Sequence, residues 1–178
     1  MLSLFRRKSP SDTIERLYGA IVAQARQPAF YMDFAVPDTV EGRFELLLLH
    51  TFLVCHRLKG ASGDGQAMSQ QVFDTFLDDM DRTLREMGVG DLAVPKRMKK
   101  IGQAFYGRTA SYDNALVDGP GALEASLARN VYERPEDAAE VIALSRYVRE
   151  AVSGLAATPF ETLARGELAF PALAPSER

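Results

Sequence analysis

Residues Gln70 to Arg108 read QQVFDTFLDDMDRTLREMGVGDLAVPKRMKKIGQAFYGR, and their periodicity decides the fold class. Val72, Phe73, Phe76, Leu77, Met80, Leu84 and Met87 recur at helical spacing, which at about 100° per residue gathers them into one apolar arc. Asp74, Asp78 and Asp81 fall within about 60° of one another on the same wheel, with Arg85 in the same strip, so an acidic edge runs along this helix. Gly88 is placed to end it, since glycine takes the left-handed conformation past a helix without a Cβ clash, and Val89 follows as the hydrophobic contact of that cap. Pro95 suits the first turn of a second helix, expected to run to Gly107. On that helix Lys96, Arg97, Lys99 and Lys100 share one face with Gln103, and Met98, Ile101 and Phe105 share the other.

Working outward, LLLLHTFLVC lies in a helix expected from the Asp38/Glu41 capping box to Lys59. It is apolar almost all round, which marks a central buried helix; a membrane span needs about 18 or more uninterrupted apolar residues, and Arg43, Glu45, Arg57 and Lys59 interrupt this one. Arg43, His50 and Arg57 repeat every seventh residue, so they drift only about 20° per step and form one polar seam. The acidic edge of Asp74, Asp78 and Asp81 is the expected partner of that seam inside the fold, because buried charges persist only when paired.

Asp12 with Glu15 marks a first helix that Pro28 stops. The connection PAFYMDFAVPD is rich in rings, and Phe30, Tyr31 and Phe34 have two readings: plugs of the core, or a patch facing a partner. Gly60 to Ala67 is a glycine-rich loop, Ser69 a candidate N-cap, and GPG breaks the chain after Leu116. Further helices are expected around Leu123–Val131, around Val141–Val152 up to Gly154, and from Thr158 to Gly166. The expected fold is an all-α, single-domain irregular helical bundle of roughly seven or eight helices around a buried central helix. Its expected boundaries are a mobile N-terminus over 1–10, a helical domain over 11–166 and a mobile tail over 167–178.

A chain of 178 residues is one ordinary domain. Its net charge of −3 argues against a general nucleic-acid binder, and a single cysteine, Cys55, rules out an intramolecular disulfide and points to a reducing compartment. MLSLFRRK puts its charges after a few apolar residues, the reverse of a secretory signal, and lacks the length of a mitochondrial transit segment. The expected location is the bacterial cytoplasm near the inner membrane, where Leu2, Leu4 and Phe5 beside Arg6, Arg7 and Lys8 suit at most a weak anionic-membrane contact.

Catalytic patterns are sparse. Asp74 and Asp78 have the D-x-x-x-D spacing with which some all-α prenyl-chain enzymes hold magnesium, and this edge, extended to Asp81, also admits a lipid-binding helical domain as the alternative function. The second acidic motif of such enzymes is missing. His50 and His56 lack the Glu-x-x-His partners of a carboxylate-bridged di-metal site, and no local motif assembles a hydrolase triad. No cofactor is implied.

The run DDMDRTLREMGVGDLAVPKRMKKIGQAFYGR, with IVAQARQPAFY and VPDTVEGRFELLLLH before it, resembles the ubiquinol-cytochrome c chaperone family over roughly Leu17 to Leu116. The resemblance implies a non-enzymatic assembly factor for the cytochrome bc complex that binds newly made cytochrome b. Ribosome association and a small helper subunit are implied by mitochondrial relatives. The expected contact residues are Phe30, Tyr31, Phe34, Lys96, Arg97, Lys99, Lys100 and Arg108, and Arg43, His50, Arg57, Asp74, Asp78, Asp81 and Arg85 are expected to form an internal polar network.

Overall fold

The computed structural model describes residues 10–61, 63–119 and 121–173, so the expectations for the first nine residues, including their membrane contact, and for the last five lie outside the described residues. In chain order the elements are α1 (Pro10–Ala25), a single turn α2 (Ala29–Met32), α3 (Val40–Lys59), α4 (Gly65–Glu86), α5 (Val94–Asp118), α6 (Ala122–Leu127) running on into a π turn (Ala128–Tyr132), α7 (Ala139–Ala157) and α8 (Phe160–Ala164). The described residues contain no strand, and the fold is an all-α single domain.

Helix α3 is the centre of it. Leu46, Leu48, Leu49, Phe52, Leu53, Val54 and Leu58 are all buried, pointing in every direction around the axis, because α1, α4, α5, α7 and the π turn surround this helix. Its first turn is closed by Thr39, whose hydroxyl accepts from the Gly42 amide at 3.1 Å; Asp38, the residue expected to cap, instead binds Arg43. Helix α4 starts at Gly65, where a Cβ would sit 2.4 Å from the Leu58 carbonyl oxygen, so only glycine lets the chain reverse that close to the end of α3. Ser69 therefore lies inside α4 and not at its cap, with its hydroxyl donating to the Cys55 carbonyl at 3.3 Å.

The far end of α4 follows the sequence reading. Gly88 has φ +82°, and the Val89 amide reaches back to the Leu84 carbonyl at 3.0 Å, the 6→1 bond of a Schellman motif. Helix α5 departs from it, continuing through Gly107 to Asp118. Thr109, Tyr112 and Ala115 carry the buried stripe of Phe105 onward for three more turns, and the positive φ that ends the helix falls at Gly119. A glycine stops a helix only where the chain beyond it gives up the apolar period, and here it does not. In the same way α7 passes Gly154 to reach Ala157, its last turns burying Leu155. Beyond Gly166, where a mobile tail was expected, Leu168, Phe170 and Leu173 pack against the core, with Phe170 edge-on to His50 at 5.2 Å.

Candidate partner-binding surface

Two of the three rings in the connection before α3 are core. Phe30 is wholly buried and Phe34 nearly so, and Phe30 stands 5.5 Å from Phe34, 5.2 Å from His50 and 5.1 Å from Tyr147 between ring centroids. The connection folds into the turn of α2, which aims Phe30 inward, so neither ring is a partner contact. Tyr31 is half-buried: its hydroxyl donates to the Ala25 carbonyl at 2.9 Å, and the Arg43 guanidinium lies 5.4 Å from its ring centre. The exposed apolar side chains here are Met32 and Val40.

The polar seam of α3 and the acidic edge of α4 do not meet. Arg43 pairs with Asp38 at 2.6 Å on the surface. His50 is enclosed between the Leu46 carbonyl, 2.7 Å from Nδ1, and the Tyr147 hydroxyl, 2.8 Å from Nε2. Arg57 donates to the Leu155 and Thr158 carbonyls at 2.7 and 2.8 Å, satisfying acceptors at the C-terminal end of α7. On α4 the face turned to α3 is Val72, Phe73, Phe76 and Met80, which puts Asp74 and Asp78 in solvent. Asp74 accepts from Gln70 at 2.8 Å, and Asp81 accepts from Arg85 at 2.6 Å, whose hydrogen bond holds the Asp81 carboxyl below the usual range. Arg85 also reaches Asp91 across the turn at 2.5 Å. Burying an apolar arc costs nothing in desolvation while burying three carboxylates does, so the helix rolled onto its arc. Among the described residues no group of three or more His, Cys, Asp or Glu side chains is gathered as metal ligands would be.

The charge pair that is buried involves Glu45, which the sequence hid inside an apolar run. Arg108 grips it with two donors, Nε to Oε2 at 3.0 Å and Nη2 to Oε1 at 2.8 Å. Arg108 thus braces α5 against α3 and is not a free contact residue. Its side chain is 30% exposed and that of Glu45 10%, so Arg108→Met is expected to lower stability by about 2 kcal/mol, the size of a hydrogen bond to a charged group, with urea unfolding as the measure. A change under about 0.5 kcal/mol would mean that solvent replaces the pair. Sequence reading also missed Asp79, which accepts from the Tyr18 hydroxyl at 2.8 Å and ties α4 to α1.

Left over on the surface is the start of α5. Val94 and Phe105 are buried and Met98 and Ile101 half-buried, which fixes the helix by one side and turns Lys96, Arg97, Lys99 and Lys100 outward. All four are exposed, and no ion pair recorded among the described residues uses them. Just before them, in the turn between α4 and α5, Leu92 is 100% exposed and Met87 55%. Four cations of one sign beside two uncovered apolar side chains make a surface that a solvated helix face alone does not require.

Fold and surface together define an all-helical protein with a braced core, a solvated acidic edge on α4 and an exposed cationic face at the start of α5. The model of the family described as "Ubiquinol-cytochrome C chaperone" matches residues 32–170, and the chain belongs to that family. The match runs past Leu116, where the recognisable motifs ended, through α7 and α8. The chain is 24% identical over 141 residues to the ubiquinol-cytochrome-c reductase complex assembly factor 1 of Xenopus laevis, covering 79% of this chain and 70% of that one. To the protein of the same description from Homo sapiens it is 27% identical over 141 residues, 79% of this chain and 47% of that one, so it spans about half the length of the human relative. The crystal structure of the Cbp3 homolog from Brucella abortus superimposes with a TM-score of 0.85 at 43% identity over 96% of each chain.

Proposed function

We propose that the chain is an assembly factor for the ubiquinol-cytochrome c reductase, and that it binds newly made cytochrome b through the cationic start of α5 and the neighbouring Leu92. Family membership and the descriptions of the relatives support the target complex. The observation that carries the binding mode is the exposure of Lys96, Arg97, Lys99 and Lys100 without any recorded internal ion pair. Membrane-protein clients emerge beside anionic lipid and ribosomal RNA, and a cationic face is drawn to the acidic groups of such surroundings. Contact with the ribosome, a small helper subunit and a working place on the cytoplasmic side of the inner membrane belong to the same reading. Among the described helices none is long and apolar enough to cross a membrane.

Reversing Lys96, Lys99 and Lys100 together to Glu tests it. The three side chains are exposed and spare to the core, so thermal stability is expected to stay within about 1 kcal/mol. Recovery of cytochrome b from membranes is expected to fall, most at low salt, because at 0.1 M salt exposed charges more than about 10 Å apart are already largely screened. Unchanged recovery at low salt would refute the binding mode.

A further inference from the structure

Between α6 and the outer face of α7 lies an open cleft of about 500 Å³, inside the range of about 300–1,000 Å³ that small-ligand sites occupy. Ile142, Arg146, Arg149 and Ser153 line it from α7, and at about 100° per residue they fall within about 60° of one another, a single stripe. Glu124 and Ser145 lie on its inner side. The Ser145 hydroxyl donates to Glu124 Oε1 at 2.5 Å and the Gly121 amide donates to Oε2 at 3.0 Å, so this carboxylate is satisfied by its own surroundings.

Arg149 is not satisfied. Its Nη2 stands 3.6 Å from Glu124 Oε2, near enough for attraction and too far for a hydrogen bond, and this buried nitrogen has no hydrogen-bond acceptor. A donor left in that condition is costly, and at the wall of a cleft the cost is relieved by an acceptor entering from outside. Arg146, one turn earlier, is exposed, and no ion pair recorded among the described residues uses it. Two guanidiniums one turn apart suit an oxyanion with two oxygens. Ile142, a large exposed apolar side chain, sits about 6 Å along the helix from Arg146 and gives the stripe an apolar end.

The charges flanking the stripe narrow the ligand further. Glu124 on the inner side and Glu150 on the outer balance the two arginines, so a ligand with one negative charge fits where a phosphate monoester with two meets repulsion. Glu150 is exposed and likewise in no recorded ion pair among the described residues. It offers an acceptor at the edge of the stripe, which the last amide N–H of a peptide uses and a fatty acid does not.

We propose that this cleft binds the carboxy-terminal end of a peptide whose last residue is aliphatic. Arg149 and Arg146 hold the carboxylate, Ile142 covers the last side chain and Glu150 accepts the amide N–H before it. The site shares no residue with the cationic start of α5, so it stands or falls independently of the proposed client contact.

The test titrates the isotope-labelled full-length chain, by NMR, with N-acetyl-alanyl-leucine, its carboxy-terminal amide, decanoate and dimethyl phosphate. The peptide acid is expected to shift the amides of Ile142 to Ser153 saturably, and the peptide amide to bind about tenfold more weakly, the size of a hydrogen bond to a charged group. Ile142→Asp and Arg146→Glu change exposed side chains, so each is expected to melt like wild type and to weaken the acid about tenfold. Arg149→Gln is expected to lose saturable binding; should it fail to fold, the two exposed variants decide. Equal binding of acid and amide would overturn the carboxylate seat. Decanoate or dimethyl phosphate binding as tightly as the peptide acid would overturn the peptide ligand. Shifts confined to the lysines of α5, or no saturable shift with any probe, would overturn the site and leave the cleft to water.

Discussion

Phe30→Ala is expected to destabilise the protein by about 3–5 kcal/mol, the cost of losing a fully buried ring and leaving its cavity. The ring has no exposed surface, and its neighbours come from four segments: Phe34 from the connection, His50 from α3, Tyr147 from α7 and, through His50, Phe170 from the segment after α8. Elements that converge from so far apart in sequence cannot collapse inward without disturbing one another, which places the cost toward the upper end of the range. For a chain of this length, at about 2–4 °C per kcal/mol, the melting temperature is expected to fall by roughly 10 °C. Met32→Ala is the control two residues away. Met32 is 79% exposed, and its loss is expected to stay within about 0.5 kcal/mol. Equal, small effects for both variants would return Phe30 to the surface role that its sequence also allowed.

Aromatic residues between two prolines have the same appearance whether they plug a core or face a partner, because composition reports how much apolar area there is and not where it points. Direction is fixed by α2, a helix of four residues, Ala29–Met32, too short for any period to be read in it. Long elements were legible for the opposite reason. The arc of α4 and the all-round apolarity of α3 each extend over many turns, and the Gly88 cap has a stereochemical cause that sequence states outright. What failed was inference from charge to pairing. Arg43, His50 and Arg57 do share one line on α3, yet each found a nearer partner: an aspartate five residues back, a tyrosine hydroxyl, and two carbonyls at a helix end. A helix with a strong apolar arc settles its roll by burial, and its charges take what the roll leaves. The outward placement of Lys96 to Lys100 was legible because its logic was about roll as well: Met98, Ile101 and Phe105 had to face inward, so the lysines had to face out.

Stability is expected to fall by about 3 kcal/mol between pH 6.5 and pH 4, and His50 is the cause. The Leu46 carbonyl can only accept, so Nδ1 carries the proton; Nε2 must then accept, and the Tyr147 hydroxyl donates to it while receiving a bond from Gln24 Nε2 at 3.1 Å. The neutral ring is therefore fully satisfied. A second proton would put a charge among Phe30, Phe170 and Tyr147 and face the Tyr147 donor with another donor, and burial lowers the His50 pKa to about 4. In the unfolded chain the same group titrates near its ordinary value of about 6.5. Above pH 6.5 neither state binds the proton and stability is whole. As pH falls below that value the unfolded state takes up the proton and the folded state does not, so each unit costs about 1.4 kcal/mol until the folded pKa is reached. The carboxylates held below their usual range, Asp81, Glu124 and Glu140, add their losses lower down, so the interval from pH 6.5 to 5 lies above them, and the comparison with His50→Gln assigns the slope. Urea midpoints across that interval are expected to decline for the wild-type chain and to flatten in His50→Gln, which keeps a donor and an acceptor but cannot be charged. A slope that survives His50→Gln would transfer the acid sensitivity to another group and leave His50 with a packing role alone.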